Sequence, residues 1–402
     1  MTMRGKPGST GPAAPSRRRM LLTASAGAGV LAAGGGSAAW WLLGGGDERP
    51  EEPWEAEPLA SYDPEEAPPP LWRLPRAGDA DGPPPVPIGR YVAHAAAGGG
   101  VTARTVTRGE AVWRNGDADV GRGLIAESGL LLAADVAGRV LALDPVTGRP
   151  RWVAAGAQAT TLLAADPLTL YTRTRGTGRH GQGGRHDPAG GIAAISLKDG
   201  ATLWRAPPPV RLPARAAAAS ARLVLYGDEG DAAALDATSG VVVWRRKELG
   251  DTALTPYTAD GAVYLGGAEL LSLDLTDGQE RWRLPADGGS WGAPAVHDGR
   301  VYACERATLR ALSTDDGDAE GWSLPLGHHG PAPAPAPVVQ HRTLCLPSSP
   351  GERAGLTFCD LATGRPTWSY PPPTTPGTWR LAAGGNRVFT ARGTSVSALP
   401  VI

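Results

Sequence analysis

Cysteine is nearly missing from this chain: Cys304, Cys345 and Cys359 are the only three in 402 residues. Three are too few for a disulfide scaffold, and an odd number leaves at least one thiol unpaired within the chain. The fold must rest on a buried apolar core, which a chain of this length can build. Lysine is equally scarce, occurring only at Lys6, Lys198 and Lys247. Nearly all the positive charge is therefore arginine, which together with heavy Ala, Gly and Pro usage reads as a coding bias and not a binding device. Neither sign of charge is in excess: 39 Lys+Arg stand against 40 Asp+Glu, a formal net charge of −1. That balance removes the electrostatic basis for a nucleic-acid partner.

Charge is also missing locally. Residues 1–19 contain Arg4, Lys6, Arg17, Arg18 and Arg19 and no acid, and Met20 to Gly46 contain no charge at all. The junction Ser16-Arg17-Arg18-Arg19-Met20-Leu21-Leu22 is similar to the twin-arginine export signal, a receptor-read address, with Arg17 and Arg18 as its signature. The region behind it is weakly apolar, dominated by Ala, Gly and Ser, as such signals are. An ordinary signal peptide or a retained anchor helix are the alternatives. The stretch is long enough to span a bilayer, and Ser37-Ala38-Ala39 offers a small-residue cleavage site. No Cys lies nearby, which argues against a lipid anchor. Positive charge before the apolar stretch and acids after it place residue 47 onward outside the cytoplasm. Residues 47–65, with Asp47, Glu48, Glu51, Glu52, Glu55 and Glu57 among Pro50, Pro53, Pro58 and Pro64, read as an extended, solvated, disordered linker.

What the rest of the chain has is a repeat. Trp72, Trp113, Trp152, Trp204, Trp244, Trp282, Trp322 and Trp368 recur at a spacing near 40 residues, the length of a four-stranded propeller blade of about 40–45 residues. Gly109, Gly148, Gly200, Gly240, Gly278 and Gly364 each precede a Trp by four positions, and Gly317 precedes Trp322 by five. Four residues before the Gly stands Asp144, Asp236, Asp274 or Asp360, replaced elsewhere by Thr105, Ser196 and Ser313. This is turn chemistry: the Asp caps the turn with its own carboxylate, and the Gly supplies a positive φ. The Trp falls on the outgoing strand, placed to fill the gap to the next blade. Short apolar strands such as Val263-Tyr264-Leu265 and Leu270-Leu271-Ser272-Leu273 precede each turn, so the array is all-β.

The motif resembles the pyrroloquinoline-quinone-like repeat, close to Val-Tyr-Val and then Ala-Leu-Asp-x-x-Thr-Gly-x-x-x-Trp, over residues 66–402. That resemblance implies an all-β, eight-bladed β-propeller of four-stranded blades. Seven units end at Trp113 through Trp368. After Trp368 the chain supplies Val388-Phe389-Thr390 and Val396-Ser397-Ala398-Leu399 and stops short of a final Trp strand. Pro70-Leu71-Trp72-Arg73 is that strand at the other end, and pairing the two closes the ring as an eighth, composite blade. The domain reading is thus 1–46 signal or anchor, 47–65 linker and 66–402 propeller.

The repeat family includes quinoprotein alcohol dehydrogenases, which carry a vicinal Cys pair, acidic calcium ligands and a catalytic Asp in the central funnel. No adjacent Cys pair exists here, and the resemblance brings over no catalytic, metal-binding or cofactor-binding residue; no cofactor is expected. Two blades depart from the common length, and such departures are where function is grafted on a repeat scaffold. Blade 3 has an insert from Thr174 through His180, His186, Asp187 and Pro188. Blade 7 is preceded by Gly327-His328-His329-Gly330 and the run Pro331 to Pro337. Both loops open on one face, so His180, His186, His328 and His329 are the candidate binding-face residues. A metal site shared between them is opposed by geometry, since blades 3 and 7 face each other across a ring of eight. Cys345 and Cys359 lie on neighbouring strands, where a cross-strand disulfide competes with two free, packed thiols. The expected function is an exported, non-catalytic scaffold, either anchored to the membrane through the N-terminal segment or secreted, that binds a protein, peptide or carbohydrate at the cell envelope. The alternative is a quinone- or metal-dependent oxidoreductase.

Overall fold

In a computed structural model of the protein, the residues described are 55–63, 66–76, 82–176, 190–211, 214–249, 254–318, 321–326, 334–348, 354–371 and 377–402. Among them, 32 strands form eight four-stranded antiparallel sheets. Seven sheets are made of consecutive strands: blade 1 spans 86–115, blade 2 124–154, blade 3 159–206, blade 4 214–246, blade 5 257–285, blade 6 295–325 and blade 7 338–370. Blade 8 takes three strands from 380–399 and its outer strand from Trp72–Pro75. Trp72 pairs with Ala398, Arg73 with Ser397, Leu74 with Val396 and Pro75 with Ser395. The first strands of adjacent blades touch all the way round, including Arg380–Gly384 of blade 8 against Val86–Ile88 of blade 1. The ring is closed, with first strands innermost and Trp strands outermost.

The recurring turn does two jobs. At blade 2, Asp144 Oδ1 accepts the amides of Val146 and Thr147 at 3.0 and 2.9 Å, while Gly148 N donates to the Asp144 carbonyl at 2.8 Å. Asp236 and Asp360 cap their own turns in the same way. Gly148 sits at φ +68, a conformation that side chains disfavour, and a Cβ there would lie 2.4 Å from the Trp113 ring. Glycine is thus demanded both by the turn and by the preceding blade's Trp lying flat on it. The indole N–H completes the joint by donating to the carbonyl of the residue after the turn Asp or its equivalent. Trp72 reaches Val106 at 3.0 Å, Trp113 reaches Pro145 at 2.8 Å, Trp152 reaches Leu197 at 2.9 Å and Trp204 reaches Ala237 at 2.7 Å. Trp244, Trp282 and Trp322 do the same to Leu275, Thr314 and Leu361 at 3.1, 2.9 and 3.0 Å. Seven of eight inter-blade joints are copies of one another. Trp72, Trp244, Trp282 and Trp368 are buried; Trp113, Trp152, Trp204 and Trp322 keep one edge in solvent and are half-buried.

Trp368 is the exception. Blade 8 has no Asp-x-x-x-Gly turn, and the Trp368 N–H is buried without an acceptor. Residues 55–63, which by composition belong to a solvated linker, lie over this gap. Ala56 N donates to Gly385 O at 3.1 Å and Leu59 N to Val401 O at 2.8 Å. Asn386 Nδ2 and Arg387 Nη1 donate to the Ala56 and Glu57 carbonyls at 2.9 and 3.0 Å. The Tyr62 ring stands edge-on to Trp368 with centroids 5.3 Å apart. Residues 55–63 are thus docked on the ring by backbone bonds, with Ala56 buried and Leu59 half-buried, while Tyr62 stays 40% exposed.

All three cysteines are free and buried. Cys359 pairs in register with Leu344, so its neighbour Cys345 projects from the opposite face of the sheet. Cys359 packs with Cys304 towards blade 6, whereas Cys345 packs with Phe358 and Val388 towards blade 8. A Cys345–Cys359 bond is ruled out by that alternation, which leaves the packed-thiol alternative.

Candidate functional site

The two faces of the disc differ. Second-to-third-strand loops and blade-to-blade loops open on one face, and first-to-second and third-to-fourth turns on the other. The blade 3 insert leaves after Thr169–Thr174 and returns before Ile192–Ser196, and the blade 7 approach lies between Ser323–Pro325 and Val338–Gln340. The described ends of both segments, Thr174 and Ile192, Pro325 and Val338, lie at the loop face. His180, His186, Asp187, His328 and His329, like Arg17 and Arg18 of the export signal, lie outside the described residues. Residues 55–63 seat on Gly385, Asn386 and Val401, which places the incoming chain on the turn face.

The four aspartates of the repeat turns are committed to structure. Asp144, Asp236, Asp274 and Asp360 meet Arg151, Arg222, Arg281 and Arg342 at 2.7, 3.3, 2.8 and 2.8 Å. The Arg281 guanidinium holds the Asp274 carboxyl below its usual range, and the Ser239 hydroxyl does the same for Asp236. Among the described residues, no group of three or more His, Cys, Asp or Glu is placed to hold a metal ion. A groove of about 510 Å³ runs beside the docked segment, walled by Leu59, Tyr62, His341, Arg342, Arg365 and Ile402. Arg342 there is pinned to Asp360, and His341 Nδ1 lies 2.6 Å from the Ile402 carbonyl.

A second surface stands out on the rim, away from the loops and ligand-type residues that the sequence singles out. The residues on either side of each Trp project from the face of the outer strand opposite the ring. They are Leu71 and Arg73 on blade 8, Val112 and Arg114 on blade 1, Arg151 and Val153 on blade 2, and Leu203 and Arg205 on blade 3. Blade 4 continues the series with Val243 and Arg245, and all ten of these side chains are exposed. Each of five consecutive blades thus offers one aliphatic group and one guanidinium, the aliphatics 41% to 51% exposed. Blade 5 has Arg281 and Arg283, engaged by Asp274, Glu269 and Glu280. Blades 6 and 7 have Gly321 with Ser323 and Thr367 with Ser369. Arg73, Arg114 and Arg205 bond only neutral acceptors, Ser397 Oγ at 3.3 Å, Gly99 O at 2.9 Å and Gly156 O at 2.6 Å, so their charge remains available. The disc has one aliphatic–basic half rim and one polar half rim, and the signal was legible beside every Trp.

A closed ring of eight four-stranded antiparallel blades joined by Trp-on-turn contacts is an eight-bladed β-propeller. The chain belongs to the family described as outer membrane protein assembly factor BamB, whose model matches residues 59–179, 188–269 and 256–399. Its fold is similar to the crystal structure of BamB from Moraxella catarrhalis, at 17% identity and a TM-score of 0.59, covering 82% of this chain and 99% of that one. It is also similar to the computationally designed Ika8 protein, at 13% identity and a TM-score of 0.62 over 81% and 98% of the two chains. The quinohemoprotein alcohol dehydrogenase of Comamonas testosteroni shares the fold at 12% identity and a TM-score of 0.52, over 82% of this chain and 76% of that one. No curated protein matches the chain.

Proposed function

We propose that this protein is an extracytoplasmic scaffold that holds a partner protein on the aliphatic–basic half rim of its propeller. Membership of the BamB family supports an envelope assembly role, and the exposed pairs from Leu71/Arg73 round to Val243/Arg245 are the observation that carries the reading. Aliphatic groups left in water beside guanidiniums, with Arg73, Arg114 and Arg205 on neutral acceptors and Arg151 tied to Asp144, suit a protein surface with apolar and acidic groups, and the unpaired outer edges suit an extended segment. The likeness to a quinohemoprotein dehydrogenase is one of fold. Photo-cross-linking in cells tests the proposal. A photoreactive residue at Val112 or Leu203 is expected to give discrete protein adducts, and one at Ser323 or Ser369 none. Equal labelling at all four sites, or no labelling, would sink it.

The N-terminal segment is assigned in the same proposal. Residues 1–46 form a twin-arginine-like export signal or membrane anchor, residues 47–65 the tether, and 66–402 the propeller. Among the described residues no helix is long and apolar enough to cross a membrane; Met20 to Gly46 lie outside them. A tether entering on the turn face turns the loop face away from the membrane. Replacing Arg17 and Arg18 together by lysine is expected to leave the protein in the cytoplasm, scored by fractionation. Unchanged export would remove the twin-arginine assignment.

A further inference from the structure

Blade 1 departs from the repeat in its core. The residue just before the turn Asp or its equivalent is buried and apolar in seven blades, five leucines, an isoleucine and a cysteine; in blade 1 it is Arg104. The residue on the second strand of the same face, opposite the position two before Arg104, is alanine, threonine or leucine in the other seven blades. In blade 1 it is His94. Both face blade 8, across the seam that the Trp72–Pro75 strand closes. That seam has the smallest apolar cluster of the ring, six buried residues around Trp72, Val92 and Phe389 against eight at the next smallest.

The geometry there admits one protonation state. His94 is 3% exposed. Its Nδ1 lies 2.8 Å from the Ala95 carbonyl, which can only accept, so Nδ1 bears the proton. Its Nε2 lies 3.1 Å from Arg104 Nε, which can only donate, so Nε2 must offer a lone pair. Arg104 also donates to Gly109 O at 2.9 Å, the turn on which Trp72 rests. Among the described residues, the charged groups facing the ring are Arg104 from the third strand of blade 1 and the buried Arg76 just past the closing strand. The strands of blade 8 packed at the seam present Phe389, Val396 and Ala398. A second proton on His94 would set two donors against each other and add a buried cation beside the Arg104 guanidinium.

We propose that the blade 8–blade 1 seam is an acid-labile latch, in which protonation of His94 breaks its bond with Arg104 and loosens the Trp72–Pro75 strand that ties the N-terminal segment to the ring. Burial first, and the Arg104 and Arg76 charges after it, bring the His94 imidazole down from 6.5 to about 4. The unfolded or opened chain therefore takes up its proton near pH 6.5 while the closed seam resists it until about pH 4. Closure is at full strength above that window and weakens as pH falls through it.

Hydrogen exchange on the full chain tests the latch. From pH 7 to about 4.5, after correction for intrinsic rates, protection of amides 72–75 and 395–398 is expected to fall about tenfold or more relative to the blade 4–blade 5 seam. The variant H94L/R104L, which installs the leucine pair of blade 4 (Leu225 and Leu235), is expected to remove that difference. Equal losses at both seams, no loss, or a wild-type response in the variant would each overturn the proposal. Should the variant fail to fold, the wild-type His94 ring can be titrated by NMR: a midpoint near 6.5 overturns the latch, and one near 4 supports it.

Discussion

Trp244→Ala lowers the free energy of unfolding by about 3–5 kcal/mol, the range for truncating a large aromatic in a core. The ring is 7% exposed and lies on Gly278, where a Cβ would come within 2.6 Å of it. Its N–H donates to Leu275 O at 3.1 Å. Alanine empties the wedge between blades 4 and 5 and strands that carbonyl. Because the joint is built on glycine, no side chain on the facing turn can move in to fill the space. A loss below about 1 kcal/mol in guanidinium unfolding would mean that the ring is not core. Phenylalanine separates the two parts of the effect. At Trp244 it keeps most of the apolar area and loses the hydrogen bond, a cost of about 1 kcal/mol. At Trp368 the N–H has no acceptor, so Trp368→Phe should be the milder change. Equal costs at the two sites would contradict the assignment of the indole bond as part of the joint.

A chain that begins after residue 76 should not remain a monomer. Removing Trp72–Pro75 uncovers the edge at Ser395–Leu399, lifts Trp72 off Gly109 and breaks the only blade built from both ends of the chain. An open ring exposes two blade faces and a strand edge that will pair with another copy. Light scattering after size exclusion should show oligomers or aggregate. A chain that begins at residue 55 keeps the docked segment and the closing strand and should elute as a monomer with an unchanged melting temperature. If the shorter chain were also a stable monomer, ring closure by Trp72–Pro75 would not be what holds the propeller shut. The comparison also bears on the acid-labile seam, since the contact that His94 weakens is the one that this truncation abolishes.

Eight blades, their order and the composite closure were legible because the repeat announces itself locally. An Asp that caps its own turn, a Gly at positive φ and a Trp four residues later depend on neighbours within ten residues, so their spacing survives in the chain as a pattern. Counting the pattern then gives the ring, because a strand missing at one end and present at the other has a single place to go. The export signal and anchor are a pattern of charge along the chain in the same way, and they stand as expectations for the cell to test. The histidine loops were chosen by length alone, and they lie outside the described residues.

What the sequence by itself determined is therefore everything whose cause is local: strand, turn, period and closure. What only the tertiary structure decided concerns groups that meet across the ring. Residues 55–63 read as a free linker until Ala56 and Leu59 are seen bonded to the turn face of blade 8, beside the Trp368 that no repeat turn covers. Cys345 and Cys359 look like partners until the pleat sends them to opposite faces. Leu71, Val112, Val153, Leu203 and Val243 become one surface only when five outer strands are set side by side. His94 and Arg104 become unusual only when each is compared with its counterparts in seven other blades. The physical reason is the same in each case: burial and contact are properties of the neighbour, and in a ring the neighbour is a blade away in the chain or at its opposite end.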